Sequence, residues 1–136
     1  MMPKRSNCPI SNVLDLVGDK WSLLILRDLT FFGKCTYSEL QTSDEKMATN
    51  ILSNRLERLE LDGLISKEPD KRDKRRKVYR LTQAGLDMMP IMLEMMIWSS
   101  TYEPVTNTHP EVVERAKNDR ENLIKDLLAM MKDREV

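Results

Sequence analysis

The residues with the most evident chemistry lie in DKRDKRRKVYRLT, positions 70 to 82, where seven bases and two acids share thirteen positions of a chain whose formal net charge is zero. Arginine and lysine at this density suit a polyanion, because neutralising phosphates releases condensed counterions, the main source of sequence-independent nucleic-acid affinity. The candidates for phosphate contact are Arg72, Lys74, Arg75, Arg76 and Lys77, with Lys46 and Arg58 at the preceding helix. Asp70 and Asp73 read as hairpin-turn residues, or as orienters that hold an arginine fork by charge-assisted hydrogen bonds. A merely soluble loop ordinarily mixes both signs, which favours the phosphate reading. Charge is segregated along the chain: residues 71–80 carry seven bases and one acid, whereas residues 103–136 carry six bases and eight acids.

A second set, Thr49, Asn50, Ser53 and Asn54, precedes the basic stretch. Asn can pair with adenine, and Ser or Thr can adapt to several bases, so these side chains on one helix face suit reading of base edges in a major groove. A solvated polar face is the competing explanation, and the basic stretch that follows tips the balance away from it. Glu57 on the same face repels phosphates unless it reads a cytosine amino group. Arg55 falls in the apolar arc of that helix and is expected to form a structural ion pair, with Glu39 or Glu60 as partner.

Cys8 stands before Pro9 at a predicted helix N-terminus with Lys4 and Arg5 close by, a setting that favours the reactive thiolate and makes it a candidate redox residue. An inert, partly packed thiol is the alternative. Cys35 could resolve a Cys8 disulfide across a dimer, but a small hydrophobic role fits it better. Met88, Met89, Met92, Met95 and Met96 form a methionine-rich helix; thioether metal binding is conceivable, yet methionine more often fills cores and interfaces, and no metal is expected. With Leu93, Ile97 and Trp98 this helix is expected to build a dimer interface. Catalytic residues are not expected: the chain has one histidine, His109, no Gly-rich phosphate motif and no metal-ligand spacing of Cys and His.

The elements that must position these groups follow from periodicity. Ile10, Val13, Leu14 and Val17 make a helical stripe after Pro9 that Gly18 ends. KWSLLILRDLTFFG, preceded by the N-cap type residue Asp19, is apolar nearly all around and reads as a buried central helix that stops at Gly33. A short strand CTY, a brief helix capped by Ser38, and a helix with Ala48, Ile51, Leu52, Leu56 and Leu59 on its apolar arc come next. LISKE and KVYRLT are β-like runs that make the basic stretch the loop of a hairpin. Thr82 is expected to cap one helix, and a last helix from Glu111 to Met131 carries Val112, Ala116, Leu123, Leu127 and Met130. At 136 residues with 32% charged and 40% hydrophobic composition, one domain spanning 1–136 is expected. No apolar run reaches the roughly 18 residues that span a bilayer, and MMPKRSNCP has no apolar signal core, so a cytoplasmic protein is expected.

Several stretches resemble the HxlR family of bacterial winged-helix transcriptional regulators, a relative of the MarR group. They are CPISNVLDLVGDKWSLLILRDL (Cys8 to Leu29), YSEL (Tyr37 to Leu40), ILSNRLERLELDGLI (Ile51 to Ile65) and VYRLTQAG (Val78 to Gly85), with Trp98 matching a tryptophan late in the family's fifth helix. Ala48 departs from a capping Ser, the wing is richer in bases than is usual and looks like a MarR wing, and residues after Thr106 lie outside the match.

The resemblance implies a mainly α fold with a small β-hairpin wing (α+β), a winged helix-turn-helix with added N- and C-terminal dimerisation helices. Its recognition helix is expected at about 48–62, its wing at about 64–82, and its C-terminal helices at about 83–102 and 110–133. It further implies a homodimer that binds double-stranded DNA at a palindromic operator, more often as a repressor, and a Cys8 that serves some members as a sensor of oxidants or electrophiles. No cofactor is expected, and a small-molecule effector stays open. The alternatives are a MarR-like ligand-responsive regulator and a winged-helix protein-interaction module without sequence-specific DNA binding.

Overall fold

The computed structural model describes residues 4–133, in a mainly helical architecture with one two-stranded antiparallel hairpin. The chain groups into two compact units that divide between Leu86 and Asp87.

In the first unit, α1 (Pro9–Val17) starts on a proline whose missing N–H belongs to the unpaired first turn, and it closes with the Gly18 N–H on the Leu14 carbonyl at 2.8 Å. Its expected stripe is only partly buried: Val17 is 4% exposed, but Ile10 is 70% and Leu14 54% exposed. The central helix α2 (Ser22–Phe31) begins later than an Asp19 cap would place it, with Trp21 at the N-cap. Asp19 still satisfies the helix start, accepting from the Trp21 and Ser22 N–H groups at 3.0 and 3.1 Å and from Ser22 Oγ at 2.6 Å. Gly33, at φ 71, supplies the left-handed turn after α2.

The brief helix α3 (Tyr37–Leu40) is capped by Thr36, not by Ser38. Thr36 and Glu39 form a reciprocal capping box, which starts the helix two residues earlier than a Ser38 cap allows. Helix α4 (Thr49–Leu61) has Ala48 at its N-cap without a side-chain bond and ends at Gly63, whose φ of 80 lets the Leu64 N–H reach back to the Leu59 carbonyl at 2.9 Å. Leu52, Leu56 and Leu59 of α4 are buried, as are Ile25, Leu26 and Leu29 of α2, and truncating one such leucine to Ala costs about 2–5 kcal/mol.

The hairpin consists of β1 (Ile65–Pro69) and β2 (Lys77–Leu81), in register from Ile65 opposite Leu81 to Pro69 opposite Lys77. The expected CTY strand reduces to a single bridge, Thr36 opposite Val78, with the Tyr79 N–H on the Cys35 carbonyl at 2.7 Å. That bridge ties the base of the wing to the start of α3. Thr82 Oγ accepts from the Gly85 N–H in α5 (Gln83–Leu86), and a Cβ on Gly85 would meet the Leu64 carbonyl oxygen at 2.2 Å. Only glycine lets α5 close so tightly on the base of the hairpin.

The second unit holds α6 (Met89–Tyr102), α7 (Pro110–Asn118) and α8 (Arg120–Asp133). The single helix expected after Thr82 is divided by a turn at Asp87 and Met88, and Pro90 then sits in the first turn of α6, where no N–H is required. The last helix is likewise two. Asp119, at φ −144 and ψ 38, interrupts it; Ala116, Leu123 and Leu127 of the expected stripe are buried, but Val113 is buried while Val112 is half-buried, and Met130 is 49% exposed. Arg115 spans the break, donating to Asp119 at 3.3 Å and Asp126 at 2.8 Å.

Candidate nucleic-acid interface

Helix α4 separates its two faces as its 3.6-residue period requires: Leu52, Leu56 and Leu59 point into the core while Thr49, Asn50, Ser53, Asn54 and Glu57 are exposed. The four proposed base readers therefore share one solvent-facing arc in the first half of the helix. Two of them have protein partners. Tyr37, from α3, places its hydroxyl 3.1 Å from the Thr49 carbonyl and 3.2 Å from Ser53 Oγ. Arg55 Nη1 donates to Asn54 Oδ1 at 2.5 Å. Glu57 lies with Tyr37, Ser53 and Glu60 around a cavity of about 450 Å³ beside the hairpin strand residues Lys67 and Tyr79.

Arg55 forms a structural ion pair, but its partner is neither Glu39 nor Glu60. Its Nε donates to Asp19 Oδ2 at 2.8 Å, thirty-six residues earlier, so the carboxylate that organises the start of α2 also anchors α4. Burial pushes the Asp19 carboxyl up, but the hydrogen bonds from Ser22, Arg55 and Trp21 outweigh it and hold the pKa at about 2.

The turn before α4 is clamped in the same manner. Arg27 of α2 grips both oxygens of Glu45 at 2.6 and 2.9 Å, and also donates to Ser43 Oγ at 3.1 Å and to Asp28 at 2.9 Å. Ser43 in turn hydrogen-bonds Glu45. The Arg27 guanidinium holds the Glu45 carboxyl at a pKa of about 2, against the smaller upward push of burial. Lys46 follows directly, exposed and at φ 53, with its N–H on the Ser43 carbonyl at 3.0 Å. A non-glycine residue in that region is held there by its surroundings, and the surroundings are this clamp.

In the wing the two aspartates act as both turn residues and orienters. Asp70 accepts from the Arg72 N–H at 2.9 Å and from Arg76 Nε and Nη2 at 3.0 and 2.7 Å. The Arg72 N–H and the Arg76 guanidinium hold its carboxyl below the ordinary range. Asp73 accepts from the Arg75 N–H and side chain at 3.1 and 3.2 Å. Arg72, Lys74, Arg75, Arg76 and Lys77 are all exposed, and Lys71, Lys74 and Lys77 enter no ion pair among the described residues. Arg58 lies half-buried in the last turn of α4, apart from the four readers in its first half.

Cys8 is exposed at the N-cap of α1, its carbonyl accepting from the Asn12 N–H at 3.0 Å. Of the two cations next to it in sequence, Arg5 is engaged with Asp15 at 2.6 Å. Cys35 is half-buried with its Sγ 3.6 Å from Glu39 Oε1, and burial and then the Glu39 carboxylate push its thiol up, which suits the inert role. The methionines divide: Met88, Met89, Met92 and also Leu93 are buried, whereas Ile91, Met95, Trp98 and Tyr102 form an exposed stripe at i, i+4, i+7 and i+11, with the two rings 4.9 Å apart. Leu93 is 0% exposed and so does not belong to that outer stripe.

Arg27, Glu45, Asp19 and Tyr37 were not among the candidates from sequence. Arg27 and Asp28 carried a usable signal, two charges within a helix otherwise apolar around its circumference; Tyr37 carried none, since its contacts lie twelve and sixteen residues away.

The chain matches the HxlR-like helix-turn-helix family over residues 16–107. It is 37% identical over 95 residues to Mb3122 of Mycobacterium bovis, described as an uncharacterized HTH-type transcriptional regulator; the match takes in 70% of this chain and spans 59% of the relative's length. Among solved structures, PA1607, a candidate transcription factor, is 33% identical with a TM-score of 0.69 over 78% of this chain and 72% of that one. The redox regulator HypR in its oxidized form is 30% identical with a TM-score of 0.60, over 72% of this chain and 100% of that one.

Proposed function

From the membership of this chain in the HxlR-like helix-turn-helix family, shown by the match over residues 16–107, we propose that it is a homodimeric, sequence-specific DNA-binding transcriptional regulator acting in the cytoplasm as a repressor. The observation that carries the reading is the outer face of α4: Thr49, Asn50, Ser53 and Asn54 are exposed and uncharged on the side opposite Leu52, Leu56 and Leu59, and a basic hairpin follows. Uncharged donors and acceptors discriminate among base pairs, whereas Lys46, Arg58, Arg72, Lys74, Arg75, Arg76 and Lys77 supply phosphate contacts that fix position without choosing sequence. No helix among the described residues is long and apolar enough to cross a membrane. The family match runs across the division between the two compact units, which supports treating residues 1–136 as one functional domain, although residues 1–3 and 134–136 lie outside the described ones.

The exposed stripe of α6 and the exposed Ile10 and Leu14 of α1 each supply apolar surface for a two-fold partner. A two-fold dimer carries two copies of α4 and therefore meets a palindromic operator with half-sites about one DNA turn apart. Redox control through Cys8 is favoured by its exposure at the helix N-terminus and by the similarity to HypR, a redox regulator. A small-molecule effector has room in a cavity of about 470 Å³ lined by residues of the α6–α7 loop, among them Glu103, Pro104 and Thr106.

Selection of bound duplexes from a random pool, run with reduced and with oxidised protein, tests these points together. The expected product is a palindrome preferred over random DNA by about 10³-fold or more, with affinity falling steeply as salt rises. Oxidation should shift operator affinity in the parent and leave Cys8→Ser unmoved. An unselective pool would sink the regulator reading in favour of a protein-interaction module, and equal redox responses in the two proteins would sink the sensor.

A further inference from the structure

Two side chains on the outer face of α4 cannot offer both halves of their hydrogen-bonding capacity to a ligand. The Tyr37 hydroxyl has one proton and two oxygen neighbours, the Thr49 carbonyl at 3.1 Å and Ser53 Oγ at 3.2 Å. A carbonyl only accepts, so the phenol proton goes to Thr49. The second contact is then a hydrogen bond only if Ser53 donates to the phenol oxygen. With its proton directed at Tyr37, Ser53 turns lone pairs outward. Its neighbour is fixed in the opposite sense. Arg55 has donors alone, and its Nη1 lies 2.5 Å from Asn54 Oδ1, so the amide oxygen faces Arg55 and the NH2 group faces out. Arg55 is in turn pinned by Asp19 at 2.8 Å, a carboxylate already bound to the first turn of α2.

We propose that Tyr37 and Arg55 are positioning residues that set the hydrogen-bond polarity of the reading face, so that Ser53 meets DNA as an acceptor and Asn54 meets it as a donor. The inference rests on the reading of α4 as the helix that enters the major groove. In that groove the donors are the amino groups of adenine and cytosine, and the acceptors are purine N7, guanine O6 and thymine O4. Ser53 therefore takes an amino group, and Asn54 takes a keto oxygen or N7. Asn54 does not make the two-point contact to adenine, because that contact needs its oxygen, which Arg55 holds. Asn50 keeps both halves of its amide available for such a contact, since its side chain makes no hydrogen bond among the described residues.

The test begins with operator selection by the parent, and with the same selection by Ser53→Ala and Asn54→Ala, each of which marks the base pair where preference disappears. At the Ser53 pair, replacing adenine by purine or cytosine by pyrimidin-2-one deletes the amino group and should weaken parent binding about three- to tenfold, while deleting the keto oxygen should leave it unchanged. At the Asn54 pair amino deletion should leave binding unchanged, while removal of the acceptor, either the keto oxygen or purine N7 by a 7-deazapurine, should weaken it about three- to tenfold. Tyr37→Phe keeps the ring but frees the Ser53 proton, so it should bind the amino-deleted duplex within about twofold of the intact one, with the parent's salt slope. Amino deletion without effect at the Ser53 pair, a costly amino deletion at the Asn54 pair, or a Tyr37→Phe profile identical to the parent would overturn the proposal. If the parent selects an operator but neither alanine variant loses preference anywhere, this inference fails and the regulator reading stands. If the parent selects nothing, both fail.

Discussion

In the wing, Arg75 and Arg76 lean on Asp73 and Asp70, two and six residues away, within the same exposed loop. On α4, Ser53 is held by Tyr37 sixteen residues away, and the arginine that holds Asn54 is anchored on Asp19, thirty-six residues away. The wing's order is thus local: its hairpin pairs charge with counter-charge and can adjust to a phosphate backbone without disturbing the core. The order of α4 is tertiary, since moving a reading side chain strains bonds to α2 and α3. Phosphates repeat along any duplex and tolerate adjustment, while base edges reward fixed geometry. The two regions are ordered to different degrees, which matches the different roles proposed for them, phosphate contact for the wing and base reading for α4.

The division predicts what each kind of damage does. The largest effect is expected from replacing Lys74 and Lys77 together with Ala: the salt slope of binding should fall by about two and affinity should drop for operator and random DNA alike. A variant that lost operator affinity alone would erase the contrast between the regions. Asn50→Ala should leave the slope intact and remove about 1–3 kcal/mol of discrimination at particular base pairs, measured by competition between operator point variants. The smallest effect concerns the clamp behind α4. The Glu45 carboxyl lies at about 2, below its ordinary 4.5, so its contribution to stability is complete above pH 4.5 and is lost as pH falls toward 2. Its side chain is 35% exposed, and solvent screening keeps that contribution below about 1 kcal/mol. Melting temperatures of the parent and Glu45→Gln should therefore differ slightly at pH 6, draw together below pH 4.5 and converge only as pH falls to about 2; a gap that widens in acid would contradict the assignment.

Periodicity and punctuation made much of this fold readable in advance. The two faces of α4 were legible because one residue type alternates with another at 3.6-residue spacing, and the hairpin was legible from two β-like runs around a charged loop. What sequence did not convey was the identity of partners across long separations. Arg55 was recognisable as an ion-pairing residue from its place in an apolar arc, but nothing in its neighbourhood pointed to Asp19 over Glu39 or Glu60. The break at Asp119 had no glycine or proline to announce it, and an unbroken stripe through it put Val112 and Met130 on the buried side, where the structure has Val113 buried and Met130 exposed. The capping of α3 went to Thr36 because the Glu39 carboxylate returns the bond, a reciprocity that a single candidate cap does not reveal.

Lys46 sits at φ 53, a backbone setting that disfavours side chains by roughly 1–2 kcal/mol and that glycine enters without a clash. Two laboratory screens of one mutant library should accordingly disagree at this codon. Survivors of a heat challenge should drift toward Gly or Asn, while survivors scored for silencing a reporter gene should retain lysine. On the phosphate role proposed for Lys46, thermal robustness and hold on the chromosome would pull against each other at this single residue.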